Sequence, residues 1–294
     1  MLQYKKCKKI FIFLYFFIFI FFFFRLAKFS KTPLPPEPKQ NPTMAYGTVE
    51  ASERAILREQ LETIEKVFSV NPQSFEQLDN PYGYVLYQTT IETPKNSTFI
   101  INQVRDRAVV ILNNVTQKIL YRPSGNNFTL NVVSPNSTLH ILMENMGRVN
   151  FGSFLFDRKG ITENVVFNGS PLLNWYHFSL PLSPQQISSL SFTSKSNSST
   201  NFGLFQTPVF YKFFLFVDVV ADSFLNVTGW CKGHIFVNGF NLGSYWDPAG
   251  PQHTLYLPAT MIVKGYNEII LFEQETPNSL KSPTIQFIDH AIFD

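Results

Sequence analysis

The chain has 294 residues, 45% of them apolar and 15% charged, and two cysteines. It is too apolar to stay disordered and too poor in cysteine for a disulfide scaffold; its length allows two ordinary domains or one large barrel. The net charge of +3 averages two unlike parts: residues 1–31 carry seven basic side chains and no acid, which leaves seventeen basic against 21 acidic residues in the rest. A body with that acidic balance argues against nucleic acid as a partner.

Residues 10–24 are fifteen apolar side chains without a break, preceded by Lys5, Lys6, Lys8 and Lys9 and followed by Arg25. As a helix they would span roughly 22 Å, short of a ~30 Å hydrocarbon core, and Leu26 and Ala27 extend this to a marginal span. Two readings fit: an uncleaved signal anchor holding the chain to a membrane through residues 10–27, or a signal peptide with a poor cleavage site. A third, a buried core helix, is also open to a run that is apolar on every side. Either targeting reading puts the chain after residue 31 in the secretory pathway, with extracellular, lysosomal and single-pass membrane locations all open. Seven Asn-x-Ser/Thr acceptors, at Asn96, Asn114, Asn127, Asn136, Asn168, Asn197 and Asn226, point the same way. Cys7 precedes the apolar run, so the luminal part would keep only Cys231, a buried thiol or an intermolecular bridge.

Residues 32–43 (TPLPPEPKQNPT) read as an extended linker. Within 52–68, Ile56, Leu57, Leu61, Ile64 and Phe68 fall near helical spacing with Ser52 as a cap, so the segment 32–72 is expected to be linker with a short helix. From residue 82 onward the pattern is strand after strand, at 82–91, 108–112, 128–133, 138–144, 165–167 and 175–180. The Ser/Thr/Asn-rich stretch 188–206 reads as a second linker. Further strands are expected at 208–220, 234–237, 241–246, 254–257 and 268–273, with Asn238-Gly239 as a tight hairpin turn. The expected fold is all-β: one β-sandwich at 73–187 and another at 207–294. A parallel α/β barrel is excluded, because strands do not alternate with helices.

Residues 229–246 (GWCKGHIFVNGFNLGSYW) are the most specific text. With Gly250-Pro251-Gln252, the run 254–258 (TLYLP), Gly265, Asn267 and Ile269, they resemble the last β-sandwich of family 35 β-galactosidases. Upstream, Tyr46-Gly47, Val49, 82–90 (YGYVLYQTT), Asp106-Arg107-Ala108, 144–152 (ENMGRVNFG) and Lys159-Gly160-Ile161 stand in the family's order and spacing. Ser244 departs from it, since the family usually has Arg before Tyr-Trp. The resemblance implies two galactose-binding-like jelly rolls. It places hydrolysis in an N-terminal TIM barrel that supplies two glutamates, and it begins after that barrel. It therefore implies no catalytic residue here and a chain inactive alone, with galactose-containing glycans or a separate catalytic barrel chain as partners. The alternative is a truncated product of, or complementing chain for, an active β-galactosidase cleaving terminal β-galactosides.

The residues themselves leave their roles open. Trp175, Trp230, Tyr245 and Trp246 are either sandwich core or a stacking platform for a sugar. Asp106, Arg107 and Arg148 are either a sugar-binding polar set or charges that pair and pin a loop. Asn238, Gly239 and Gly243 suit turns with positive φ. Asn267-Glu268, the one Asn-Glu pair, belongs to a terminal strand pattern and reads as structural. The five histidines lack metal-ligand spacing, and neither a phosphate loop nor a nucleophile elbow occurs, so no cofactor and no metal are expected.

Overall fold

The computed structural model describes residues 36, 38–39, 41–122, 126–152, 155–195, 207–277, 280 and 282–293. Expectations for the leader, for Asn197 and for most of the stretch 188–206 lie outside the described residues. The chain separates into two units, 1–41 and 42–294, and all the described strands belong to the second.

Apart from a two-stranded ladder of Val104–Arg105 with Gly160–Ile161, the strands of this second unit form four stacked layers. A first outer sheet orders Ser170–Pro171, Val165–Phe167, Lys95–Ile101 and Asn127–Val132. A first inner sheet orders Lys66–Ser69, Trp175–Leu180, Tyr84–Ile91, Ser137–Glu144, Arg107–Leu112 and Val115–Tyr121. A second inner sheet orders Thr193–Ser194, Glu53–Ile56, Val209–Val217, Gly265–Glu273, Lys232–Val237 and Phe240–Trp246. A second outer sheet orders Gly47–Glu50, Thr284–Ile288, Ser223–Asn226 and Thr254–Leu257.

Side-chain alternation explains the stacking. Along Tyr84–Ile91, Val85 and Tyr87 face the first outer sheet, while Tyr84 and Leu86 face the second inner sheet. Along Val209–Val217, Tyr211 and Phe213 face the second outer sheet, and Phe210 faces the first inner sheet. Both inner sheets are thus apolar on two faces, and their strands read as nearly continuous hydrophobic runs. Three cores result, one inside each sandwich and one between them, where Leu86, Val109, Leu142 and Phe178 meet Phe210, Phe236, Ile270 and Phe272.

The segment 52–68 does not form the expected helix. Glu53–Ile56 is a strand, Leu57–Glu59 and Leu61–Thr63 are single 3₁₀ turns, and Lys66–Ser69 is again a strand. Ile56, Leu57 and Leu61 are buried as an apolar face requires. Their burial comes from pairing, because Glu53–Ile56 bonds to strands on both sides, and that tertiary ladder overrides a weak helical propensity. The stretch read as linker therefore supplies strands to both sandwiches: Gly47–Glu50 and Glu53–Ile56 to the second, Lys66–Ser69 to the first. Pro184–Ser188 is a short helix capped by Ser183, whose side chain accepts from the Gln186 amide.

Candidate functional site

The sandwich junction concentrates buried charge. Arg107 and Glu144 are cross-strand partners in the first inner sheet. Gly233 pairs with Glu273 in the second, and the Gln274 amide donates to the Lys232 carbonyl at 3.0 Å. A side chain at position 233 would fall on the Phe272 carbonyl, so only glycine permits this close approach.

The result is one network across both sandwiches. Lys232 Nζ donates to Glu144 Oε1 at 2.6 Å, and the two side chains are 5% and 6% exposed. Arg107, fully buried, donates to Gln274 Oε1 at 2.5 Å and to Glu275, and lies 3.7 Å from Glu144 Oε2. Gln274 Nε2 donates to the Tyr84 hydroxyl at 2.9 Å and to Glu144 at 3.2 Å. Aromatic rings cover the charges: Lys232 Nζ sits 4.8 Å from the Trp246 ring centroid, Arg107 lies over Tyr121, and Tyr121 stacks on Trp246 at 5.8 Å. A buried pair is kept only with such complete compensation. Beside it, Glu273 accepts from the amides of Cys231, Lys232 and Glu275 and from the Tyr245 hydroxyl. Burial nevertheless dominates and pushes its carboxyl up to about 7. The Cys231 thiol is likewise pushed up to about 12, first by burial and then by Glu273, which makes it a poor nucleophile at neutral pH.

A cleft of about 480 Å³ opens beside this network. Glu144, Lys232, His234, Ser244, Trp246 and Gln252 are among the side chains lining it. His234 Nδ1 is buried and makes no hydrogen bond among the described residues. Ser244 pairs with His234 across the strands and lines the cleft beside it.

Three of the four aromatic candidates are not platforms. Trp175, Trp230 and Tyr245 are buried, and each polar atom is spent internally: Trp175 Nε1 on the Leu172 carbonyl, Trp230 Nε1 on the Thr284 carbonyl, and Tyr245 Oη on the Phe272 carbonyl. A ring enclosed in a core offers no face to a sugar. Trp246 alone is partly open and lines the cleft.

The charged candidates divide. Asp106 accepts from Lys159 Nζ at 2.8 Å, from Arg122 at 2.9 Å and from the Met146 amide. Arg148 donates to Glu76 at 2.6 Å and to the Pro81 carbonyl. Both therefore anchor the loop after Glu144, whereas Arg107 turns to the junction. Asp157 joins this anchor; burial raises its carboxyl, but hydrogen bonds from Arg122 and Lys159 outweigh that and hold it below the usual range. Asn238 and Gly239 form a turn with φ of 50° and 82°, and Asn238 binds Asn267 Oδ1 at 2.9 Å. Gly243 sits at φ 147° beside a register shift. Among the glycan acceptors, Asn96, Asn114, Asn127, Asn136 and Asn168 are exposed and Asn226 is half-buried.

Lys232 and Glu144 stood in the sequence motifs without an assigned role, and Gln274 and Glu275 stood in none. The available signal was a charged residue closing an apolar run, as in 141–144 (ILME) and 269–273 (IILFE).

Comparison with known proteins agrees with this architecture. Residues 72–181 match the family model for the β-galactosidase first all-β domain, and residues 208–267 match that for the β-galactosidase galactose-binding domain. Beta-galactosidase 1 of Dictyostelium discoideum is 34% identical over 288 residues, covering 90% of this chain and 42% of that protein. The beta-galactosidase of Mus musculus is 36% identical over 293 residues, covering 90% and 44% respectively. That of Bos taurus is 34% identical over 298 residues, covering 91% and 45%. The chain thus spans less than half the length of these relatives.

Proposed function

The chain belongs to the β-galactosidase family and holds its non-catalytic β-domains, and on that premise we propose that it acts as a galactose-binding-like module that does not hydrolyse glycosides by itself. The junction cleft carries this reading. Its aromatic wall is Trp246, and Ser244 and Gln252 supply polar contacts of the kind that orient a small polar ligand. The carboxylates nearby are committed to structure: Glu144 to Lys232, Glu275 to Arg107, and Glu273 to backbone amides. Glycoside hydrolysis needs two carboxyl groups facing the scissile bond, and these do not offer them.

Calorimetric titration of the chain with galactose and lactose tests the binding, with Trp246→Ala expected to weaken it at least fivefold. Equal affinity in that variant, or no heat with either sugar, would overturn it. A chromogenic galactoside tests the second part; turnover above buffer would refute it.

A second reading is a truncated product of, or complementing chain for, an active β-galactosidase cleaving terminal β-galactosides; the relatives it resembles carry that name. Activity appearing when the chain is mixed with a separately expressed catalytic barrel would establish it. For location we propose a luminal or extracellular site, with residues 10–27 as membrane attachment if the leader is retained. Five exposed acceptor asparagines support this, and a mobility shift on N-glycan removal tests it. No helix among the described residues is long and apolar enough to cross a membrane.

A further inference from the structure

The two inner sheets do not cover each other completely. On the junction face of the first inner sheet, Phe178, Leu86 and Leu142 lie in one cross-strand row and are buried by the second sandwich. The next row outward is Phe68, Tyr176, Gln88 and His140, aligned across four strands. His140 is still covered, and the cover ends at the Phe68 side of the row. Phe68 is 54% exposed and Tyr176 39%. Their rings meet at 5.3 Å and a 56° tilt and form a bent aromatic floor, with Lys66 Nζ 5.4 Å from the Tyr176 centroid. Beyond them Thr90 and Asn174 are exposed.

A cleft of about 660 Å³ opens over this edge, and another of about 590 Å³ adjoins it through Gln88 and Tyr176. Each is in the range that encloses a small organic ligand. Gln88 Oε1 is tied to His140 Nε2 at 3.2 Å, which leaves its amide hydrogens unused. The side chains of Thr90 and Asn174 make no hydrogen bond among the described residues. The two charged residues at the larger cleft, Glu92 and Lys95, cancel.

We propose that this edge binds a neutral oligosaccharide, with pyranose rings stacked on Phe68 and Tyr176 and hydroxyls held by Gln88, Thr90 and Asn174. A pyranose has an apolar C–H face that suits an exposed aromatic ring. Its hydroxyls both donate and accept, which matches amide and hydroxyl groups better than it matches charges. The site lies on the first sandwich and shares no residue with the junction cleft, so it stands or falls separately from the proposed function. The sugar has two available sources: a free oligosaccharide, or a glycan on Asn168, an acceptor that itself lines the larger cleft.

The test uses the full chain with N-glycans enzymatically removed, titrated with cellotetraose, xylotetraose, β-1,4-galactotetraose and a high-mannose N-glycan. At least one probe is expected to bind, with Phe68→Ala and Tyr176→Ala each weakening it tenfold or more. Tyr266→Ala, an exposed position on the second inner sheet that belongs to neither cleft, is expected to leave this affinity unchanged. Asn174→Ala, an exposed position, keeps the test open if Tyr176→Ala fails to fold. No probe bound at millimolar concentration, or variants that bind like the parent, would overturn the proposal. The glycosylated chain separates the sources. A free ligand binds it as well as the deglycosylated form. If the Asn168 glycan fills the cleft, glycosylated parent binds no probe and Asn168→Gln restores binding.

Discussion

Lys232→Met is the sharpest test of the junction. The ammonium lies 2.6 Å from Glu144 Oε1, with both side chains at most 6% exposed. Removing one member of a buried pair costs about 3–5 kcal/mol, because the other charge is left without compensation. Here Glu144 retains the Gln274 amide at 3.2 Å and Arg107 at 3.7 Å, which places the cost at the lower end, about 3 kcal/mol. Loss of the cation over Trp246 adds about 1 kcal/mol. Glu144→Leu should cost a similar amount by stranding Lys232. The double variant should cost much less than the sum, with a coupling of about 2 kcal/mol or more, since an apolar pair of similar volume removes both desolvation penalties. The assay is urea unfolding followed by tryptophan fluorescence. A single variant within about 1 kcal/mol of the parent, or strictly additive costs, would refute the network as a fastener between the sandwiches.

The same geometry sets three further outcomes. Glu273, pushed up to about 7 by burial, keeps its proton in the folded chain while the unfolded chain loses it near the ordinary value of 4.5. Between those values the folded state binds more protons, so stability falls by about 1.4 kcal/mol per pH unit, roughly 3 kcal/mol in all, and is flat above and below. His140, held near 4 by burial and by Arg58, acts in the opposite sense, so the quantity to measure is the parent-minus-Glu273→Gln difference across pH 4.5–7; a difference independent of pH would refute the assignment. Gly233→Ala should destabilise the chain by about 2 kcal/mol or more, because the new methyl meets the Phe272 carbonyl; thermal melting checks it, and an unchanged midpoint would count against the close approach. Finally, Cys231, with its thiol pushed up to about 12, should react with Ellman's reagent at pH 7.5 at least tenfold more slowly than free cysteine.

Strand existence was largely readable, and the reason is periodicity. Tyr84–Ile91, Ser137–Glu144, Val165–Phe167 and Trp175–Leu180 coincide with expected runs to within two residues, because each buries enough β-branched or aromatic surface to declare itself. Lys95–Ile101 and Val115–Tyr121 were not expected; their exposed faces carry Asn, Ser, Thr, Gln and Lys, so their local text reads as loop. The site was less readable. Trp175, Trp230 and Tyr245 are the right residues for a stacking floor by type and the wrong ones by position, since alternation turns them inward. Phe68 and Tyr176 were read as helix face and strand, and only the cross-strand register sets them side by side.

The sequence alone determined the strand-rich architecture, the basic N-terminal segment against an acidic body, and the family motifs from Tyr46 to Ile269. Each depends on local alternation, composition or short-range spacing, which a linear string preserves. The tertiary structure decided which strands share a sheet, that Gly47–Glu50 and Glu53–Ile56 close the second sandwich rather than link to the first, and that Arg107, Glu144, Lys232 and Gln274 meet. Those four residues lie up to 167 positions apart in the chain. Their meeting results from the burial of two apolar sheet faces against each other, a contact that no local pattern records.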